Sequence, residues 1–561
     1  MSTSTSTRTS TGVSRRRVLQ TIGIGTALAA TGASLSACST AGTSGTDAGN
    51  SGKDLAPFPT HVPFAGPKPD LPGTEQGVQA AYLSYPSELT QSVQEKAGDG
   101  KKITAWFLSW GATPLSREKN TFWQAVESAL GVELELTVVP AVEYETKLAT
   151  LMASGEMPDI LQVVAAPNEA QFVLTKCADL TEHLSGDAVK EYPNLANIPP
   201  YAWKATGRFG GRLYGVPVER PLVGHGLIVN QDKFKEAGIW VPEVGGLDVD
   251  SFTKGLKQLS VKGKYGLGAS QIGAFGFNSY IANHGSPNIW SVKDGAFVNY
   301  IETDEFKAGL EQMVAWQKAG VFRRDALSVD GGAYSLEFSN GTTYAQSNAY
   351  GGYKGAVLAV KDGFTVDMAR PFKPANGASP KHWLGPGIYG YTVLKKAPKE
   401  RIELLLRVMN YLAAPFGTKE YELVNHGVEG THFTRGTDGG PAITKLAADG
   451  GDGPANLPLT FIAGPPVPLY FAGQPEATRR YHAYQQEMIP LGVPSAHYGL
   501  RSNAWANSER GLVKQREDAI NAVVTGKRSL SEWDAVVREF KAKGGAKAAD
   551  SLAEEYGAAG N

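Results

Sequence analysis

Two histidines and a glutamate fall within eight residues at Asn425-His426-Gly427-Val428-Glu429-Gly430-Thr431-His432. Imidazole and carboxylate are metal donors, but Gly427 and Gly430 prevent the helix that would align them as ligands, and no second cluster supports a site. Covalent chemistry finds little more. Gly268-Ala269-Ser270-Gln271-Ile272 begins as a nucleophile elbow and fails at Ile272, where the elbow needs glycine. No His-Glu-Xaa-Xaa-His occurs, and Ser109-Trp110-Gly111-Ala112-Thr113-Pro114 is neither a dinucleotide nor a triphosphate loop. The Gly/Asp-rich stretch 436–457 lacks the spacing of a calcium loop. No cofactor or metal is expected. What remains is non-covalent recognition. Aromatic rings on glycine- and serine-rich loops offer flat faces to the C–H patches of a sugar ring, and amide, carboxylate and guanidinium groups orient its hydroxyls. The candidates are Trp110, Asn168, Glu219, Arg220, Trp290, Tyr350, Tyr353, Trp383 and Glu429. The aromatic cluster Tyr334, Phe338, Tyr344, Tyr350 and Tyr353 sits in a segment that reads as loop-rich.

The elements that hold these residues follow from periodicity. Ile103 to Ser109 reads as a buried strand. A helix expected from Ser116 puts Phe122, Val126, Ala129 and Leu130 on one face and stops at Gly131. Residues 132–138 alternate as a strand, a helix carries Tyr144, Leu148, Leu151 and Met152, and 159–164 form a third strand. This β-α-β-α-β run starts an open parallel sheet, whose ligands lie beyond the carboxyl ends of the strands. That places Trp110 after the first strand and Asn168 after the third. Further helices are expected at 251–260, 304–319, 398–412, 503–525 and 529–543.

Between them runs Tyr214-Gly-Val-Pro217-Val-Glu-Arg-Pro221-Leu-Val-Gly-His-Gly-Leu-Ile-Val-Asn230, then Gln-Asp232-Lys-Phe-Lys-Glu-Ala-Gly238-Ile and Pro242. The prolines keep it extended, 227–229 reads as a strand, and Asp232 is expected to cap a short helix that Gly238 ends. This segment resembles the lobe-to-lobe crossover of family 1 extracellular solute-binding proteins of ABC importers. The Ala319-Gly-Val-Phe322 sequence after a helix agrees, as does Ser531-Glu-Trp-Asp534 near the carboxyl end. Gly427-Val-Glu-Gly-Thr-His432 resembles the long-chain, carbohydrate-type lipoprotein branch. The resemblance implies an α/β, two-lobed periplasmic-binding-protein-like fold, each lobe a mostly parallel sheet flanked by helices. A hinge that includes Glu219 to Gly224 is expected, with a second crossing in Trp383-Leu-Gly-Pro-Gly-Ile-Tyr-Gly-Tyr391. The expected division is lobe 1 over 101–222 and 388–430, and lobe 2 over 223–387 and 431–561. The implied function is capture of a carbohydrate for permease subunits of an ABC importer, without catalysis. A binder of another solute such as a peptide, or a lipid-anchored glycoside hydrolase with its two carboxylates, is the alternative.

The amino terminus carries Ser14-Arg15-Arg16-Arg17, a mild apolar segment from Ile22 to Leu35, and Leu35-Ser36-Ala37-Cys38. The order resembles a twin-arginine export signal over 1–37 ending in a lipobox, which implies acylation of Cys38 and anchoring on the extracellular face. Residues 38–100, rich in Gly/Ser and then Pro, are expected to form a flexible linker or stalk. Lys+Arg total 54 against 55 Asp+Glu, so no basic excess points to nucleic acid and no net field attracts a charged solute. With Cys38 acylated, Cys177 is left without a disulfide partner. A monomer is expected.

Overall fold

The computed structural model describes residues 48–164, 166, 168–360 and 363–558. The export signal and Cys38 lie outside them.

The first sheet begins with β1 (Lys102–Ser109), parallel to β2 (Glu133–Pro140) on one side and to β3 (Ile160–Val163) on the other. Between them pack α1 (Thr121–Leu130) and α2 (Ala141–Ser154), and α3 (Glu169–Lys176) follows β3. Asn120, not Ser116, caps α1, its side chain accepting the Trp123 N–H at 2.9 Å; Ser116 precedes a separate short turn of 3-10 helix. Gly131 ends α1 at φ 68°, a left-handed conformation that glycine adopts without strain. The sheet continues with β4 (Gly215–Glu219), and the chain leaves the lobe at its carboxyl end.

The second sheet centres on β5 (Gly226–Asn230). Asn230 caps the helix that follows, accepting the Lys233 N–H at 3.0 Å; Asp232, expected in that role, accepts the Thr365 N–H instead. A hairpin of β6 (Trp290–Lys293) and β7 (Ala296–Asn299) stands apart. β8 (Ala345–Asn348) and β9 (Val366–Met368) flank β5, both antiparallel to it. The second sheet therefore departs from the mostly parallel arrangement expected of each lobe. Its centre strand takes neighbours that return more than a hundred residues later and run against it, with the helix Tyr350–Ala359 joining β8 to β9 across it. Residues 334–353, expected to be loop, supply the helices Gly331–Ser339 and Tyr350–Ala359 with β8 between them.

The chain returns through β10 (His382–Trp383) into β11 (Ile388–Leu394), which inserts antiparallel between β3 and β4 to give the order β2-β1-β3-β11-β4. The hairpin β12 (Phe433–Arg435) and β13 (Pro441–Ile443) follows, and β14 (Gly492–Val493) pairs with β10. Two large cores result. One joins β1–β4 and β11 with helix Lys399–Leu412; the other joins Val229–Phe372 with helix Asn503–Val524 and the carboxyl-terminal helices. The expected last helix over 529–543 is Trp533–Phe540; Gly544 kinks the chain, and a further helix covers Ala546–Ala558.

Two stretches lie elsewhere than expected. Residues 431–463 were assigned to the second lobe, yet Leu457, Leu459, Phe461 and Ile462 pack into the first core. Asp452 also accepts the Phe122 N–H at 3.0 Å and the Thr121 hydroxyl at 2.7 Å, binding this insertion to the start of α1. Polarity explains it: the free N–H groups of a helix start attract a carboxylate. Residues 48–100, expected to be a stalk, instead lie along the body. Ala56 N–H donates to Gly211 at 2.8 Å, Leu71 pairs with Ala81, Ala81 with Leu469, and Thr90 with Thr418. An extended proline-rich segment has no helical or sheet ladder of its own, so many of its backbone groups are free to bond a neighbour. Asn50 is stitched twice, its N–H to the Glu555 carboxylate at 2.9 Å and its side-chain oxygen to Gly211 N–H at 2.9 Å.

Candidate functional site

The two lobes are joined by extended segments lying side by side. Arg220 N–H donates to Gly387 at 2.9 Å, Gly385 N–H to Leu222 at 2.8 Å, and Leu384 N–H to Val493 at 3.0 Å. Gly224 takes φ +65°, and a Cβ there would meet Trp383 O at 2.6 Å and Gly385 N at 2.7 Å, so only glycine fits. The buried His382 donates a ring N–H to the Val223 carbonyl. Burial holds its pKa down to about 4 and outweighs that bond, so the ring is neutral at pH 7.

Against this hinge opens a cavity of ≈ 360 Å³, lined by residues that include His225, Asn278, Asn283, Tyr300, Lys381, Trp383, Tyr498, Arg516 and Glu517. It shares Pro386 and Tyr498 with a second cavity of ≈ 190 Å³, lined from the first lobe by Val163, Val164, Glu169 and Tyr391 and from the other side by residues 497–502 and Glu509. Together they make one cleft at the carboxyl ends of the first sheet's parallel strands. Trp383 is half-buried, its indole N–H donates to Ser286 O at 2.9 Å, and its ring meets Tyr300 edge-on at 5.5 Å. Asn288 fixes the floor by donating to Leu384 O at 2.8 Å and Val493 O at 2.9 Å. Glu169 accepts from the Tyr391 hydroxyl at 2.5 Å and faces Arg501 at 3.3 Å. Burial and the neighbouring Glu169 raise the Glu509 carboxyl to about 7.

The expected site residues divide. Trp383 lines the cleft. Trp110 stands 55 % exposed after β1, beside Tyr389. Arg220 lies over the rings of Tyr389 and Phe461, 5.5 and 5.0 Å from their centres, so Trp110, Tyr389, Phe461 and Arg220 are neighbours on one edge of the first lobe. Asn168 adopts φ 57° ahead of α3, and its N–H reaches across to Asn507 at 3.2 Å. Trp110, Arg220 and Asn168 do not line the cleft itself, and the other five are buried elsewhere or paired on the surface. Trp290 is 1 % exposed and packs edge-on against Trp505 at 5.4 Å. Tyr350 and Tyr353 are buried among Phe471 and Tyr481, their hydroxyls donating to Pro468 O at 2.8 Å and Val366 O at 3.2 Å. Glu429 is a surface partner of Arg435 at 2.8 Å. Glu219 is buried behind the hinge, where it lines a separate ≈ 830 Å³ cavity beneath residues 61–82. His432 is structural: its Nδ1 accepts the Val428 N–H at 2.9 Å and its Nε2 meets Asp452 at 3.1 Å. Among the described residues no group of three or more His, Cys, Asp or Glu could hold a metal ion.

Tyr300, Tyr498, Arg516 and Glu517 were not anticipated. Arg516 carried a signal: on helix Asn503–Val524 it stands four residues from Leu512 and four from Ile520, on the buried face.

A hinge of paired strands between two α/β lobes, with a cleft against it, is the architecture of a ligand-closing receptor. Residues 122–420, more than half of the chain, match the bacterial extracellular solute-binding protein family, and the chain belongs to that family. It is 24 % identical over 483 residues to the polygalacturonan/rhamnogalacturonan-binding protein YtcQ of Bacillus subtilis (strain 168), covering 83 % of this chain and 93 % of that protein. Lipoprotein LipO of the same strain is 23 % identical over 364 residues, 61 % of this chain and 70 % of LipO. The fold is similar to that of an HMO-binding, ABC-transporter-associated solute-binding protein from Bifidobacterium longum infantis, with a TM-score of 0.63 at 14 % identity, covering 82 % and 99 % of the two chains. No helix among the described residues is long and apolar enough to cross a membrane.

Proposed function

We propose that this protein captures an oligosaccharide in the cleft between its lobes and delivers it to the permease of an ABC importer, without turning it over. The observation that carries this reading is the composition of the cleft: a half-buried indole, Trp383, beside a phenol, Tyr300, in a cavity whose other walls bring amide, imidazole and hydroxyl groups from Asn278, Asn283, His225 and Tyr498. The partly exposed face of Trp383, backed by the buried ring of Tyr300 and framed by orienting polar groups, suits a pyranose ring. The names of YtcQ and of the Bifidobacterium protein support a saccharide as the class. Trp110 with Tyr389, Phe461 and Arg220 extends the surface along the first lobe, in keeping with a ligand longer than one ring. Asn168 belongs to the closing face through its contact with Asn507. The ordered signal before Cys38, with LipO named a lipoprotein, supports tethering by acyl chains at Cys38 on the extracellular face, with the protein acting as a monomer. Calorimetry of the mature protein against a panel of neutral and acidic oligosaccharides and peptides tests the reading. Saturable binding of a saccharide, recovered intact, is expected. Binding of peptides alone, or cleavage of the saccharide, overturns it.

A further inference from the structure

We propose, on the basis of the saccharide-binding reading, that the cleft takes an acidic saccharide and that Arg516 is the group that receives its carboxylate. Arg516 is 5 % exposed, projects from the helix Asn503–Val524 and lines the cavity that holds Trp383. Its Nε and Nη1 have no hydrogen-bond partner among the described residues. Its guanidinium lies over Tyr300, 5.1 Å from the ring centre, and Tyr300 in turn touches Trp383. A guanidinium stays charged at any physiological pH, and a buried charge with two N–H groups unsatisfied is costly to the folded chain. A planar carboxylate relieves part of that cost, because its two oxygens match the parallel N–H groups that Nη2 forms with either Nε or Nη1.

Other arginines with an unsatisfied nitrogen are otherwise engaged. Arg501 faces Glu169 at 3.3 Å and also donates to the Thr206 carbonyl, and Arg480 stands 3.7 Å from Asp367. Around Arg516 the titratable neighbours are Glu517 and Glu509, which act on it through space, and His497, whose imidazole burial and Arg516 itself keep neutral. Burial pushes the Glu517 and Glu509 carboxyls up, which weakens both as counter-ions. The geometry then places a sugar ring against Trp383 and its C6 carboxylate against Arg516. The overall neutrality of the chain does not oppose this. Net charge governs attraction at long range, whereas Arg516 acts inside the cavity.

The test compares trigalacturonate with its carboxyl-reduced counterpart, a neutral trimer of the same size and linkage, by calorimetry on the mature protein. Wild type is expected to favour the acidic trimer by tenfold or more, a preference that falls with added salt. Arg516→Met should abolish the preference, and Arg516→Lys, which keeps the charge and loses the fork, should reduce it. Equal affinity of wild type for the two trimers, or a preference that survives Arg516→Met, overturns the inference and leaves the saccharide reading standing. Failure of every saccharide, acidic and neutral, to bind overturns both. The wild-type comparison decides even where a variant fails to fold.

Discussion

Glu219 accepts the backbone N–H of Val467 at 2.8 Å, across 248 positions of sequence. Its other oxygen accepts a hydrogen bond from the Tyr201 hydroxyl. One carboxylate therefore ties the first crossing between the lobes to the segment that follows residues 431–463. Burial is the larger influence on it and raises its pKa to about 7, against the lowering effect of those two bonds.

Replacing Glu219 by Gln should change how stability responds to pH. A carboxyl with a folded pKa of about 7 and an unfolded value of 4.5 binds its proton more tightly when folded. Its contribution is full below pH 4.5 and is lost as pH rises to 7, by about 3 kcal/mol. Glu219→Gln keeps the neutral form: the amide oxygen can accept from Val467 and the amide nitrogen can donate to Tyr201. The variant should melt close to wild type at pH 4.5 and above it at pH 8. Parallel melting curves across that range would show that Glu219 does not titrate there.

His382, on a neighbouring crossing strand, carries the opposite sign. Its folded pKa is about 4 against 6.5 unfolded, so the unfolded chain binds the proton first. Its contribution is intact above pH 6.5 and is lost as pH falls to 4, again by about 3 kcal/mol. His382→Asn, whose amide can donate to the Val223 carbonyl, should lower stability at pH 7.5 and flatten this acid-side loss. Chemical denaturation at pH 7.5 and 5 measures both effects.

Two tryptophans proposed for the same role should now part company. Trp383→Ala should weaken saccharide binding on the order of thirtyfold, about 2 kcal/mol, with a small change in melting temperature. Trp290→Ala removes a core ring packed on Trp505 and should cost about 3–5 kcal/mol of folding stability. A Trp383 variant that loses stability and keeps affinity would place the ligand elsewhere.

What the sequence could and could not show follows from what it encodes. Periodicity exposed β1, α1, β2, α2 and β3 because each buries one face against its chain neighbours. The crossover was legible because prolines and glycines mark backbone that cannot be helical. Loop aromatics are a different matter: Trp290, Tyr350 and Tyr353 follow glycine- and serine-rich stretches as Trp383 does, and only the tertiary partners Trp505, Phe471 and Tyr481 make them core. Arg516 was hidden for the converse reason. A charged residue in a polar-looking helix draws no notice until the neighbouring turns show that it points inward.

Cys38 lies outside the described residues, and its acylation is tested directly. Cys38→Ala should move the protein from the membrane fraction to the medium or the soluble fraction. A variant that remains fully membrane-bound would refute the lipid anchor.

The fastening of Asn50 to Glu555 and Gly211 bears on how such an anchor would act. With acyl chains on Cys38 and the body already engaged at Ala48, whose carbonyl accepts the Gly210 N–H at 3.0 Å, only the nine residues 39–47 would lie between lipid and protein. Fully extended they reach no more than about 36 Å, where a free stalk out to residue 100 would reach roughly 200 Å. The anchor is then a short leash. A receptor so anchored would patrol a thin layer of space next to the bilayer, and its local concentration at a membrane permease would rise as that volume shrinks.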